Sequence, residues 1–238
     1  NGYPFIVTNK HVIQDAVAWR LWVHTRTAEK QPSLRTMLEV QSDNRSPSWI
    51  DHPDNDVDLS VLPAAWIWDS AHNHGLTPFV VSIPKEDILT PDTLNELSCV
   101  EDVLLIGYPN GLWDTHNKLP LIRRGISATH PKHDYAGLPI FVIDAACYPG
   151  SSGSPVFLFR RSLDIDTSRA TAGQLFTMAP RLIGVLYAGP QHAVIGDVAE
   201  VRLGTLKSVS YIPNHLGYVV KACRLYDMEP EFQRFWDE

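Results

Sequence analysis

An all-β chain in two halves that meet near residue 100 is what this 238-residue sequence predicts. Three observations carry that reading. Short apolar runs recur along the chain, bounded by Gly, Pro, Asn and Asp, as strands between turns should be. Helix signals are few. The 18 prolines and 14 glycines fall mostly between the runs, where turn geometry uses them. Pattern alone leaves sandwich and barrel both open.

In the first 63 residues the strand candidates are "PFIVTN", "VAWRLWVHT", "RTMLEVQ" and "DLSVLP". Between the first two, "HVIQDA" has the composition for one helical turn. Residues 64–100 lack strand character and read as a linker with some first-half structure. Within them "TPDTLNEL" offers Thr90 as a cap and Pro91 at the first helical position, where its missing N–H is no loss. After residue 100 come six runs: "VLLIGYP", "PLIRRGISA", "PIFVIDAA", "SPVFLFR", "RLIGVLYAG" and "LGYVVKA". Residues 161–180 read as a long surface loop, and "EPEFQRFWD" as a short amphipathic closing helix. The expected organisation is an N-terminal unit with its linker over 1–100, a C-terminal unit over 101–228, and a tail or short helix over 229–238.

Composition narrows the function classes. A hydrophobic share of 44% suits one large or two small domains with cores of their own. No run approaches the ~18 apolar residues of a membrane span. The net charge of −7 is mild, and Lys and Arg are scattered rather than gathered into the basic stripe that nucleic-acid binding needs. Cys99, Cys147 and Cys223 are too few and too far apart for a disulfide framework. Their odd number points to reduced thiols and a cytoplasmic setting. With no CxxC and no HExxH, neither a metal nor a cofactor is expected. Solvated loops such as "AHNHG" and "THPKHD" account for most of the ten histidines. The chain opens at "NGYPFIVTNKHV", already strand-like, with no signal peptide visible. Trp19, Trp22, Trp66 and Trp68 are expected in core packing, as is Cys223; Cys147 is expected to pack or to line a pocket.

The stretch "CYPGSSGSPVF", residues 147–157, is unusual. So dense a small-residue bend between two apolar arms either is a plain turn or aims a hydroxyl and several N–H groups at a substrate. Serine becomes a nucleophile only when a base takes its proton. That base is usually histidine, steadied by a buried carboxylate. His11 in "FIVTNKHVI" and Asp58 in "DVDLSVLP" both stand at strand ends, where a side chain can face a cleft yet stay partly shielded. Alone, such a histidine is commonly structural and such an aspartate is an ordinary strand start. Together with Ser152 they stand in the chain order His, Asp, Ser known from the chymotrypsin arrangement.

The blocks "TNKHV", "DVDLSVL" and "DAACYPGSSGSPVF" resemble the three signature blocks of trypsin-like serine peptidases. The closer resemblance is to the bacterial branch that includes the HtrA/Deg-type proteases, in which "LLIGYPNG" is similar to the opening of the second barrel. The resemblance runs over about residues 3–225. It implies two six-stranded β-barrels of the chymotrypsin type with the site between them, the first strand of the N-terminal barrel falling before residue 1. It implies Ser152 as nucleophile, His11 as general base then acid, Asp58 as orienting carboxylate, and the N–H groups of Gly150 and Ser152 as oxyanion hole. It also places the primary pocket on Ala146 and on Tyr187, Ala188 and Gly189.

Departures from the family pattern shape the expectations. Digestive members carry an aspartate just before the nucleophile, and here that residue is Ser151, so their zymogen switch cannot operate. The second glycine of the usual Ser-Gly-Gly-Pro is Ser154. Ala146 stands where trypsin-type enzymes hold an acidic residue, so small or medium apolar side chains are expected at the cleavage position of a protein or peptide substrate. No PDZ-sized segment follows residue 225, so any further domains or regulatory partner would lie outside these residues. Two other readings compete with an active endopeptidase. One is a catalytically silent, protease-like module that binds peptides or proteins. The other is an esterase on a different fold, against which stand the missing G-x-S-x-G and the wrong order of the three residues.

Overall fold

The structure is a computed structural model that describes residues 4–42, 49–159, 181–189, 191–198 and 206–232. The first half carries β1 (Phe5–Thr8), α1 (Lys10–Ile13), β2 (Trp19–Arg26), β3 (Pro32–Ser42), β4 (Ile50–Asp51) and β5 (Ser60–Pro63). β1, β5 and β4 form an antiparallel sheet in that order, and β2 and β3 form a separate ribbon. Five strands in two sheets is thus what the described residues of this half show, where the resemblance implied a closed barrel. β4 has only two residues, too short for a strand pattern to register in the sequence.

Residues 64–100 hold more order than a linker. α2 (Trp66–Asn73) buries Ile67 and Ala71 against Leu38 of β3, with Ile6, Val23 and Val40 packed around them. The sequence hides this helix because its first turn, "WIW", is aromatic and β-branched and carries no capping side chain. α3 (Pro91–Asn95) begins where expected. Thr90 caps it through a reciprocal pair of bonds with Thr93, which satisfies N–H groups the helix cannot satisfy itself.

The second half follows with β6 (Asp102–Gly107), β7 (Leu121–Ser127), β8 (Ile140–Asp144), β9 (Pro155–Leu158), β10 (Arg181–Ala188), β11 (Gln191–Val198), β12 (Leu206–Pro213) and β13 (Leu216–Lys221). Six of these close into a barrel in the order β10-β13-β8-β7-β6-β9. They are the six apolar runs of the sequence. The β11–β12 hairpin, which the apolar pattern did not mark, leaves the barrel between β10 and β13. Val103, Leu105, Phe141, Ile143, Val156, Ile183 and Val219 fill the barrel core. A short 3₁₀ helix over Ala222–Met228 and a helical turn over 229–232 follow. The proposed loop over 161–180 lies outside the described residues.

A second apolar cluster joins the halves. Val57, Leu59 and Val61 are fully buried against Ile140, Phe157, Leu182, Val185 and Val220 of the barrel and Leu225 and Met228 of the 3₁₀ helix. Each such side chain contributes about 1.5–3 kcal/mol of burial. Because Val57 and Leu59 flank Asp58, this seam sets where that carboxylate stands. Two tryptophans depart from the core reading. Trp19 and Trp66 do pack together, ring centroids 5.3 Å apart. Trp22 and Trp68 are 52% and 40% exposed, because strand alternation and helix periodicity put them on outer faces.

Candidate active site

β1 ends at Thr8, Asn9 turns the chain, and α1 begins at Lys10, so His11 stands at the second helical position. That position leaves its backbone N–H without an intrahelical partner. The Asp58 carboxylate supplies one: Oδ1 accepts the His11 N–H at 3.1 Å, while Oδ2 lies 2.5 Å from His11 Nδ1. A carboxylate only accepts, so Nδ1 carries a proton and the neutral ring keeps its lone pair on Nε2. The two contacts fix both the position and the tautomer of the imidazole. The His11 side chain is 45% exposed and that of Asp58 24%, so the pair stands at the rim of the seam and within reach of a substrate.

The bend between β8 and β9 comes to the same place. Gly150 and Gly153 adopt φ of +78° and +82°, a region L side chains avoid. At Gly153 a close approach adds to the need: a Cβ there would lie 2.8 Å from Thr8 Oγ1. The Gly153 N–H donates to Asn9 Oδ1 at 2.7 Å and to Leu186 O at 2.8 Å. Ser152, between the two glycines, is half-buried, and its hydroxyl donates to Tyr187 O at 2.9 Å. Ser151 N–H and Ser154 N–H bond within the bend. Among the described residues, the N–H groups of Gly150 and Ser152 donate to no protein acceptor. Gly150 itself rests on the turn Pro109–Gly111, where the Asn110 N–H donates to Pro149 O at 2.7 Å.

Two residues of the site escaped sequence reasoning. Asn9 is fully buried, and its Nδ2 donates to Asp58 O at 2.8 Å. Arg123 occupies an inward-facing position of β7 opposite Leu105. Its Nη1 donates to Ala146 O at 2.5 Å and to Ser151 Oγ at 3.1 Å, and its buried Nε and Nη2 find no hydrogen-bond partner among the described residues. Burial is the main influence on this guanidinium and lowers its pKa; Cys147 and Tyr148 oppose that. The signal was present in "PLIRRGISA": with period-two alternation, one of two adjacent arginines in a strand must face inward.

The expected pocket residues surround the bend. Ala146 is half-buried, with its carbonyl held by Arg123. The Tyr187 ring stacks on Tyr218 at 6.0 Å, and Tyr218 on Tyr135 at 5.9 Å. Burial, then the neighbouring Tyr218 and Asp58, raise the pKa of the Tyr187 phenol. Ala188 pairs with Tyr218 across β10 and β13, and exposed Gly189 lies against Leu216 O and Cys147. Cys147 is buried beside Gly217, and burial pushes its thiol up to about 11, so it is a packing residue rather than a nucleophile. Ser154 is buried against Gly107, where a Cβ would meet its Oγ at 2.0 Å; the serine fits because position 107 has no side chain.

The trypsin-like peptidase domain model matches residues 1–162, and the chain belongs to that family. No curated protein matches it. Among solved structures, the chain is similar to an inactivated protease paralogue of the scabies mite, S-I1, at 12% identity and a TM-score of 0.42, with 97% of this chain and 84% of that one covered. Among the described residues no helix is long and apolar enough to cross a membrane.

Proposed function

We propose that this chain is a serine endopeptidase, with Ser152 as nucleophile, His11 as base and then acid, and Asp58 as orienting carboxylate. The observation that carries the reading is the two-point grip of Asp58 on His11, which leaves Nε2 as the free base. In the reaction, Ser152 Oγ attacks the scissile carbonyl carbon as Nε2 takes its proton. The new oxyanion accepts hydrogen bonds from the Gly150 and Ser152 N–H groups, each worth about 3 kcal/mol in such sites. His11 then gives its proton to the leaving amine. Water, deprotonated by the same nitrogen, releases the acyl group.

The substrate strand is placed against Tyr187–Gly189, beyond the last rung between the bend and β10, as an added β-strand. Ala146 offers no charge for Lys or Arg, so small or medium apolar residues are favoured at the cleavage position. Affiliation with the HtrA/Deg-like bacterial branch and a cytoplasmic setting complete the reading.

One observation favours a catalytically silent binding module instead: the Ser152 hydroxyl donates to Tyr187 O, an acceptor it must give up before His11 can take its proton. Catalytic hydrogen bonds often tighten only with substrate present. A fluorophosphonate decides, because it labels only an activated serine. Labelling of the native chain, its absence in Ser152→Ala, and faster cleavage of peptides bearing Val, Ala or Leu at the cleavage position are expected. An unlabelled native chain would sink the peptidase reading, and a preference for Lys or Arg would sink the pocket.

A further inference from the structure

Asn9 stands just before α1, a position where an asparagine side chain ordinarily caps the helix. It makes no cap bond. Asp58 holds the His11 N–H instead, and the asparagine amide is used elsewhere. Fully buried, it reaches in two directions: Nδ2 donates to the Asp58 backbone carbonyl at 2.8 Å, and Oδ1 accepts from the Gly153 N–H at 2.7 Å. One amide therefore ties together the three segments that carry His11, Asp58 and Ser152, across 49 positions on one side and 144 on the other.

We propose that Asn9 is the positioning residue of this site: it touches no reacting atom, but it sets the spacing between the bend that carries Ser152 and the His11–Asp58 pair. The proposal rests on the peptidase reading for its kinetic consequence and on the bridge alone for its structural one. The chemistry suits the task. An amide offers one donor and one acceptor on a rigid plane, so it can satisfy a carbonyl and an N–H at a fixed separation without adding charge beside Asp58. A hydrocarbon of the same size fills the space but leaves the Asp58 carbonyl unpaired and the Gly153 N–H with Leu186 O alone, so the bend stays on β10 but loses its tie to the His11–Asp58 pair.

The test uses two variants of nearly equal shape. In Asn9→Leu the bridge is gone. The expected result is a fall in kcat of about 30-fold on a small ester or peptide substrate, with KM within about twofold, because the substrate-binding surface is untouched. In Asn9→Asp a protonated carboxyl reproduces the bridge, accepting from Gly153 and donating to Asp58 O, whereas the ionised form cannot donate and stands beside the Asp58 charge with His11 nearby. Its melting-temperature deficit relative to the native chain should therefore shrink as pH falls from about 8 to about 5, since the buried carboxyl binds its proton more tightly folded than unfolded.

A kcat within about threefold of native in the leucine variant, a loss that appears only in KM, or a deficit in the aspartate variant that ignores pH would each overturn the proposal. If the leucine variant does not fold, the aspartate series carries the test. If the native chain is unreactive, the peptidase reading fails while the melting series still decides the bridge.

Discussion

Asp58→Asn is the most informative single substitution. The side chain keeps its shape, so packing at the seam by Val57 and Leu59 is unchanged. The chemistry is not. The backbone N–H of His11 is a fixed donor and demands an oxygen at the present Oδ1 position, 3.1 Å away. The amide nitrogen then takes the Oδ2 position, 2.5 Å from Nδ1, and donates. Nδ1 must accept, and the ring proton moves to Nε2, the nitrogen that should receive the Ser152 proton. Flipping the amide restores the tautomer only by setting two N–H groups against each other, at about 1–3 kcal/mol for the unmade bond. The negative charge that steadies the developing imidazolium is lost in either case. An exchange that imposes the wrong tautomer costs about 10⁴-fold in kcat, which at about 1.36 kcal/mol per tenfold is about 5.4 kcal/mol. Steady-state hydrolysis of an activated ester, with melting temperature as the control for folding, measures it. A loss below about tenfold in a well-folded variant would refute the assignment of Asp58 as the orienting carboxylate.

Other perturbations follow from the same geometry. Gly153→Ala forces a side chain into φ of +82° and against Thr8 Oγ1, so thermal denaturation should show a loss of at least ~1 kcal/mol together with a large fall in kcat; an unchanged melting curve would contradict the close approach. Ser151→Asp gives the partly buried Arg123 a carboxylate partner, and a double-mutant cycle with Arg123→Met should return a coupling of about 2 kcal/mol or more. Additive effects would mean that the guanidinium does not support the bend. Alkylation at pH 8 should modify exposed Cys99 first and spare Cys147, whose thiol keeps its proton up to about 11. The same shift predicts that stability is unaffected below pH 9 and falls as pH rises from about 9 to about 11, because the unfolded chain releases a proton there that the folded chain retains. Cys147 alkylated as fast as Cys99 would place it at the surface.

How much of this was legible beforehand depended on the range of the interaction. Local signals read well. The six apolar runs after residue 100 are the six barrel strands, because alternation and turn residues act within a few positions. The Thr90–Pro91 helix start is likewise a contact between near neighbours. α2 was missed because its stability comes from burying Ile67 and Ala71 on β3, a tertiary gain that no capping residue advertises. The β11–β12 hairpin was missed because its sequence, "QHAVIGDV" and "LKSVSYIP", mixes polar residues through both strands.

From residues alone one could pick out side chains of the right chemical type, because "TNKHV", "DVDLSVL" and "GSSGSP" each bring a polar group together with the turn or strand end that presents it. Only tertiary structure decided what those groups meet. It set the two-point contact of Asp58 with His11, the turn of the Ser152 hydroxyl toward Tyr187, the tie of the bend to Asn9 and its support by Arg123. The physical reason is that these are directional hydrogen bonds between segments far apart in the chain. Their geometry is set by how the apolar seam of Val57, Leu59 and Val61 docks the first half on the barrel, and no local propensity encodes that docking.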